Sequence, residues 1–268
     1  MIFAAQVPGV KSALRLMGRG QKWRDRLLIL ILVLFRSRPG FWRLLAAAFG
    51  AGDWIITVRT PCGPARLVFD PQQTAELTVV DELLPGRIYI AKGRASVLLD
   101  CGAFRGISTI YLQDQAKAAR VVAFEPQAEN FAALSRRLSM HLPAATLVNA
   151  AVGQQNGDAM FSGDGVGGSV GSGGSKVQVV RLRDQIQSAD CADLLIKVDI
   201  EGAEREVLPD AQDALPANCT MFLETHFTDA EAEAILAPLL SAGFSCREVR
   251  RHKHGVSGVQ FIDWELKR

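Results

Sequence analysis

Short apolar runs that end in polar side chains recur along the middle of this chain. The clearest run is 97–100, VLLD, in which three apolar residues precede a carboxylate. A turn with Gly102 and Gly106 follows, and Ile107 and Ile110 then begin a helical pattern of apolar residues. A buried strand, a glycine turn and a helix make up the first half of a nucleotide-binding βαβ unit. Glycine suits such a turn because the backbone must turn tightly and a Cβ would hold a ligand away.

Further apolar runs predict the rest of an α/β fold. Strands are predicted at 120–125, 145–152, 194–198 and 221–226, and helices at 74–84, 127–141 and 229–240. Runs at 54–59 and 65–69 predict a hairpin before the sheet, and runs at 244–250 and 256–266 predict an antiparallel pair after it. Strands that alternate with helices indicate a mostly parallel sheet with helices on both faces.

Charge divides the chain into two unequal parts. Residues 1–50 hold nine Lys and Arg residues and one acid, Asp25, whereas the remainder holds 21 basic and 27 acidic residues. A chain of 268 residues, 49% hydrophobic and 22% charged, is globular and permits one domain with an extension. We therefore expect a basic helical extension at 1–50 and a main domain at 51–268.

The extension contains an uninterrupted apolar run, LLILILVLF at 27–35. Nine helical residues span roughly 14 Å, against about 30 Å of hydrocarbon, so the run is too short to cross a membrane. A secretory signal is not expected, because the basic region is long and no small-residue cleavage site follows. Two interpretations remain, a helical cap that packs on the main domain and an interfacial helix that rests on anionic lipid. Nucleic-acid binding is not expected, because basic and aromatic residues do not interleave along a strand or loop.

The cysteines and a glycine-rich segment each add one prediction. The five cysteines, Cys62, Cys101, Cys191, Cys219 and Cys246, are scattered and odd in number. This pattern predicts neither disulfides nor a zinc site, and favours a reducing, cytoplasmic location, with peripheral membrane association through 1–50 as the alternative. The segment 162–175 has seven glycines in fourteen residues and no Walker lysine pattern, which predicts a flexible linker or a lid.

Carboxylates at two strand ends point to a cationic ligand with a ribose. Asp100 would repel a pyrophosphate but suits a ligand with an amino group and no phosphate, such as S-adenosylmethionine. Glu125, followed by Pro126, comes 25 positions later, near the ~20-residue offset at which an acidic residue binds ribose hydroxyls. Asn149 and the backbone at Ala150 end the third strand, where Asn149 could contact an adenine edge or only hold the turn.

A second group of ionisable residues follows the strands at 194–198 and 221–226. Lys197 and Asp199 share one face of their strand, and a buried lysine is expected to be paired. Asp199, Glu201 and His226 are the candidates for a general base, because each ends a strand or begins a turn. Glu204 is explained by the dipole of the next helix. The spacing of Asp199, Glu201 and Glu224 is not diagnostic of a metal, and we predict none.

These motifs together resemble the FkbM family of S-adenosylmethionine-dependent methyltransferases over residues 95–226. The resemblance is carried by DCGAFRG, VVAFEP, NAAVG, LIKVDIEGAE and LETH, in that order and at strand ends. It implies a class I methyltransferase fold with a seven-stranded, mostly parallel sheet. It also implies methyl transfer, usually to a hydroxyl of a sugar, polysaccharide or secondary metabolite.

The resemblance also assigns roles to individual residues. Asp100, Gly102, Ala103 and Gly106 would form the loop around the methionine end of the cofactor. Glu125 would bind the ribose, and Asp199 would lie at the methyl-transfer end. Phe104, within the same loop, stands where the family usually has Asn.

Two other functions remain open from the residues alone. One is a nucleotide-sugar or NAD-linked enzyme of similar fold. Asp100, and the absence of the middle glycine of a G-x-G-x-x-G turn, argue against it. The other is a non-catalytic binding or scaffold protein that retains the fold, which Phe104 leaves possible.

Overall fold

The computed structural model describes residues 15–35, 52–85, 88–164, 167–171, 173–253 and 260–268. The helices are α1 (Trp23–Phe35), α2 (Thr74–Leu83), α3 (Ile107–Ala116), α4 (Ala128–His141), α5 (Leu182–Ala189), α6 (Glu204–Ala211) and α7 (Asp229–Ser241). The first seven strands are β1 (Trp54–Thr60), β2 (Gly63–Phe69), β3 (Val97–Cys101), β4 (Arg120–Phe124), β5 (Thr146–Val148), β6 (Ala151–Gly153) and β7 (Gly157–Asp164). The later strands are β8 (Gly167–Gly171), β9 (Ser175–Arg181), β10 (Asp193–Val198), β11 (Asn218–Phe227), β12 (Ser245–Lys253) and β13 (Gln260–Lys267).

The main sheet has seven strands in the order β12-β13-β11-β10-β3-β4-β5. The five strands from β11 to β5 run parallel, and β13 joins β11 and β12 in antiparallel pairings. All five residues of β3 are buried, because strands inside a parallel sheet are covered on both faces. This order is that of the class I methyltransferase fold, and it confirms the predicted fold class and terminal antiparallel pair.

The sheet topology brings the carboxyl ends of β3 and β10 side by side. Lys197 lies opposite Asp100 in the register, and Val198 lies opposite Cys101. The chain order reverses between these two strands, since β4 and β5 lie on one side and β11 on the other. Ligands of open α/β sheets bind in the crevice at such a switch point.

Two sequence predictions are corrected by the structure. The strand predicted at 145–152 is two strands, because β5 pairs with β4 in the main sheet and β6 pairs with β9 in another. The glycine-rich segment is not a linker, because much of it forms strands β7 and β8, which pair antiparallel. Together with β6 and β9 they make a separate four-stranded sheet.

The N-terminal hairpin of β1 and β2 matches the prediction, and α1 packs on it. Ile29 and Val33 of α1 are buried in the same apolar cluster as Ile56 and Val58 of the hairpin. No helix among the described residues is long and apolar enough to cross a membrane. The predicted boundary at residue 50 lies outside the described residues and stays a prediction. All five cysteines are free thiols, as the sequence predicted.

A buried ion network joins the hairpin region to the main sheet. The guanidinium of Arg137, on α4, donates to Asp53 Oδ1 and to Glu76 Oε2, each at 2.7 Å, and Nη1 donates to the Arg105 carbonyl at 2.7 Å. Arg137 and Glu76 are each only 1% exposed. Burial raises the pKa of Glu76, and the charge of Arg137 opposes that rise. The network ties α2 and the segment before β1 to the loop between β3 and α3.

We expect Arg137→Leu to lower the free energy of unfolding by about 3–5 kcal/mol, because it removes the hydrogen-bonded cation of the buried Glu76 and leaves only Arg105, at 3.6 Å. Equilibrium unfolding in urea measures the change. Arg136→Leu, at an exposed position of the same helix, is the matched control and should change stability little. Adding Glu76→Gln to Arg137→Leu should recover part of the loss. Equal effects of the two arginine substitutions would contradict the account.

Candidate active site

The loop after β3 approaches the end of β10 so closely that only glycine fits at its start. Gly102 has φ +80°, and an added Cβ would lie 1.9 Å from the carbonyl oxygen of Asp199. The amide N–H groups of Gly102 and Ala103 both donate to the Phe124 carbonyl, at 3.1 and 2.9 Å. The loop is therefore fixed against β4 on one side and against the end of β10 on the other.

Asp100 is completely buried and holds this loop from beneath. Its Oδ2 accepts hydrogen bonds from Thr109 Oγ1 at 2.6 Å and from Ser108 Oγ at 3.2 Å, both in the first turn of α3. Its Oδ1 lies 3.4 Å from Lys197 Nζ. The carboxylate has no exposed surface, and its contacts fix the start of α3, while its predicted role beside the cofactor stays a prediction.

Lys197 links the two halves of the site. Its Nζ donates to the Gly102 carbonyl at 2.8 Å and lies 3.2 Å from Asp199 Oδ2. Burial alone would lower the pKa of Lys197, but the carboxylates of Asp199 and Asp100 raise it above its ordinary value. The prediction that this buried lysine is paired is confirmed.

Glu125, directly after β4, accepts two backbone hydrogen bonds. Oε2 accepts from the Phe104 amide and Oε1 from the Gln127 amide, both at 2.9 Å. Burial raises the pKa of Glu125 to about 7, although these two hydrogen bonds oppose the rise. The Asn130 side chain also bonds to this carboxylate, and the remaining acceptor capacity could serve a ribose hydroxyl.

Phe104 has a backbone conformation that is unfavourable for its residue type. Its φ is +52°, in the left-handed region that Asn visits several-fold more often than other non-glycine residues. The resemblance gives the family an Asn here, and the backbone supplies a physical reason for that preference. The Arg105 guanidinium lies 5.6 Å from the centre of the Phe104 ring.

Asn149 holds the turn between strands. Its Nδ2 donates to the carbonyls of Glu125 and Pro126, at 2.8 and 3.1 Å. Ala150, the next residue, is buried. Of the two interpretations from the sequence, the turn contact is present, and contact with an adenine stays a prediction.

Asp199, Glu201, Glu224 and His226 converge at the ends of β10 and β11, and we call them the strand-end cluster. His226 Nε2 lies 3.6 Å from both Glu201 Oε2 and Glu224 Oε1. The side chains of Glu201 and Asp199 are 32% and 25% exposed, whereas that of His226 is 10% exposed. Burial, and then the negative charge of Asp199, raise the pKa of Glu201 to about 8. The same two causes raise the pKa of Glu224.

Glu201 also has a strained backbone, with φ +55°. Non-glycine residues in this region cost about 1–3 kcal/mol and cluster at functional sites. The neighbouring Glu204 has a structural role, since its Oε1 and Oε2 accept the amides of Ile200 and Gly202 at 2.9 Å each.

Sequence reasoning missed three charged residues that border the strand-end cluster. Arg250 on β12 lies 3.6 Å from Glu82 on α2 and donates to Asp263 on β13 at 2.5 Å. Burial raises the pKa of Glu82 to about 7, which the charge of Arg250 opposes. Asp263 is opposite Glu224 in the sheet. In the sequence, Asp263 is a charged residue within an apolar strand, which is the same pattern that identified Lys197.

Asp199, Glu224 and His226 could together hold a metal ion. One ligand atom from each lies within 4.8 Å of the others. Carboxylate and imidazole ligands suit several divalent cations. The sequence predicted no metal, and the Lys197 ammonium already supplies positive charge beside Asp199.

The geometry fits an adenosyl ligand with an amino acid end. The carboxyl ends of β3, β4 and β10 carry a tight glycine loop, the Glu125 carboxylate, and the partly exposed Asp199 and Glu201. Asp100, Lys197 and Asn149 fix the backbone here through hydrogen bonds to the start of α3, to Gly102 and to the residues after β4. The predicted cofactor and catalytic residues thus lie at the carboxyl ends of neighbouring strands, and their roles stay predictions.

Comparisons with known proteins give one family and several distant structural similarities. The family model of the methyltransferase FkbM domain matches residues 100–246, more than half of the chain. No curated protein matches the sequence significantly.

Three solved structures illustrate the structural similarity. TYW2 from M. jannaschii, in complex with AdoMet, is 12% identical with a TM-score of 0.47, covering 82% of this chain and 88% of its own. A putative transferase from Pyrococcus horikoshii is 11% identical with a TM-score of 0.46. The match covers 87% of this chain and 84% of the transferase. A putative methyltransferase from Streptococcus mutans, in complex with SAH, is 12% identical with a TM-score of 0.42. The match covers 70% of this chain and 97% of the methyltransferase.

We expect Glu125→Ala to weaken binding of S-adenosylhomocysteine at least ~10-fold, because charged hydrogen bonds contribute roughly 1.5–3 kcal/mol each. Calorimetric titration measures the dissociation constant. Glu129→Ala, at an exposed carboxylate near the same loop, is the control and should bind normally. An unchanged dissociation constant in folded Glu125→Ala would remove Glu125 from the ribose site.

Phe104→Asn should be more stable than Phe104→Ala by about 1 kcal/mol, because Asn tolerates the left-handed backbone better. Both substitutions remove the ring and its contact with Arg105. The difference between their free energies of unfolding therefore isolates the cost of the left-handed backbone. Thermal and urea unfolding measure it. If Phe104→Asn is no more stable than Phe104→Ala, backbone strain does not explain the family preference.

Proposed function

The chain belongs to the FkbM family of methyltransferases, and we propose that it methylates a hydroxyl group of a sugar, polysaccharide or secondary metabolite. S-adenosylmethionine is the methyl donor of this family.

The observation that supports a hydroxyl acceptor is the presence of proton-accepting groups beside the cofactor loop. A hydroxyl must lose its proton as the new bond to carbon forms. Glu201 has a pKa of about 8, is about one-third exposed, and lies just after the strand that carries Lys197. A base whose pKa is near the working pH contributes typically ~10²–10⁴-fold to the rate.

In this mechanism, the bound cofactor supplies an electrophilic methyl group, whose bond to sulfur breaks as the acceptor oxygen attacks in line. Glu125 orients the ribose, and the Gly102–Gly106 turn holds the methionine end. The Glu201 carboxylate accepts the hydroxyl proton, and His226, whose Nε2 lies 3.6 Å from Glu201 Oε2, is the alternative base. Asp199, fixed by Lys197, orients the acceptor, and such positioning contributes strongly to catalysis.

Charge in the strand-end cluster favours a neutral, polyhydroxylated acceptor. Carboxylates accept hydrogen bonds from hydroxyl groups, and each oxygen can accept two. Acceptors with a phosphate or carboxylate at the reacting end would be repelled by the carboxylates of Asp199 and deprotonated Glu201. This chemistry is consistent with a glycan or a sugar-containing metabolite, which the family resemblance implies.

The catalytic proposal is tested with a transfer assay for labelled methyl groups on a panel of glycans and hydroxylated metabolites. Glu201→Gln and His226→Ala should lower turnover ~10²-fold or more if each takes part in proton removal, while the affinity for the cofactor stays near the parent value. Asp199→Asn should raise the Michaelis constant of the acceptor. Glu206→Gln, at an exposed carboxylate on α6, is the control.

The pH profile separates the roles of the candidate bases. A base works only when deprotonated, so turnover should rise with pH through about 8, the pKa of Glu201. This rise should disappear in Glu201→Gln. Near-normal turnover in Glu201→Gln, His226→Ala and Asp199→Asn alike would place the chemistry elsewhere. Tight cofactor binding without transfer to any acceptor would favour a non-catalytic binding protein.

A further inference from the structure

Helix α1 has apolar side chains on two opposite faces. Ile29, Leu32 and Val33 are at most 2% exposed and pack with the hairpin. On the other side, Trp23, Leu27 and Leu34 are 78%, 47% and 36% exposed. Their spacing, i, i+4 and i+11, places them on one face of the helix. We call these three residues the outer stripe.

Basic side chains surround the N-terminal end of the outer stripe. Arg24 and Arg26 lie on either side of it, and both are exposed, as is Lys22 just before the helix. None of these three has an ion pair with another described residue. The one acid in the helix, Asp25, is buried, and its two oxygens accept the amides of Lys22 and Thr57.

Three guanidinium groups bond to two paired backbone segments beside the stripe, one at Gly20 and one at Arg59. Arg26 Nε and Arg59 Nη2 donate to the Gly20 carbonyl at 3.3 and 3.1 Å, and Arg19 Nη1 donates to the Arg59 carbonyl at 3.4 Å. Backbone oxygens hold the three side chains in place without neutralising their charge. The result is a local concentration of positive charge next to exposed Trp23 and Leu27.

We propose that the outer stripe and the surrounding basic residues form a docking surface for an anionic lipid bilayer. Trp23, Leu27 and Leu34 would enter the boundary between headgroups and acyl chains, and the guanidinium groups would bind lipid phosphates. Charge complementarity selects this occupant. Residues 51–268 have a net charge of −6, so an anionic bilayer attracts this surface and repels most of the remaining chain. The inner face of α1 stays on the hairpin, so the cap and interfacial interpretations describe two faces of one helix.

The proposal predicts that the full chain sediments with vesicles of phosphatidylcholine and phosphatidylglycerol, but not with phosphatidylcholine alone, and that salt weakens the binding. Leu27→Ser should lower the partition coefficient roughly fivefold. Leu240→Ser is the matched control, because Leu240 is also 47% exposed but lies on α7. Both substitutions are at exposed positions, and circular dichroism verifies folding.

A second pair of variants tests the charge. Arg24→Gln should also weaken binding roughly fivefold, whereas Arg136→Gln, on exposed α4 surface, should not. Equal binding to both vesicle types, no binding to either, or equal losses in Leu27→Ser and Leu240→Ser would overturn the proposal. A self-association that Leu27→Ser abolishes, without any effect on vesicle binding, would assign the surface to a second copy of the chain instead.

Discussion

The buried ammonium of Lys197 is the contact on which the rest of the site depends. It bonds to the Gly102 carbonyl and lies between the carboxylates of Asp100 and Asp199. A buried charge is expensive unless it is paired and hydrogen-bonded, so these groups stabilise the fold only together. The loop that would bind the cofactor and the strand end that would perform the chemistry are therefore joined by one side chain.

The cofactor loop is held from two sides by buried cations. Lys197 fixes its start through Gly102, and Arg137 fixes its end through the Arg105 carbonyl. Between these anchors, Phe104 is held in a left-handed conformation while its amide donates to Glu125. The strain at Phe104 can persist because both neighbouring ends of the loop are fixed. The same rigidity holds Glu125 where we propose that it contacts the ribose.

The sequence predicted the main sheet well because its strands are short apolar runs with distinct ends. It also predicted that Lys197 is paired, because a charge within an apolar strand has few alternatives. The split of the third strand was not predictable from hydrophobicity, because both halves are apolar and only their pairing separates them, β5 with β4 and β6 with β9. Of the two predictions for the glycine-rich segment, a flexible linker or a lid, the linker was wrong because composition does not reveal the pairing of β7 with β8 and β9. Arg250 and Asp263 were missed because their role depends on α2 and the terminal strands meeting at the site.

The most direct test of this account is a crystal structure with S-adenosylhomocysteine bound. The account predicts the amino acid end beside the Gly102–Gly106 turn, the ribose hydroxyls within hydrogen-bonding distance of Glu125, and the sulfur facing Asp199 and Glu201. A ligand whose ribose lies away from Glu125, or whose sulfur faces away from the strand-end cluster, would contradict it.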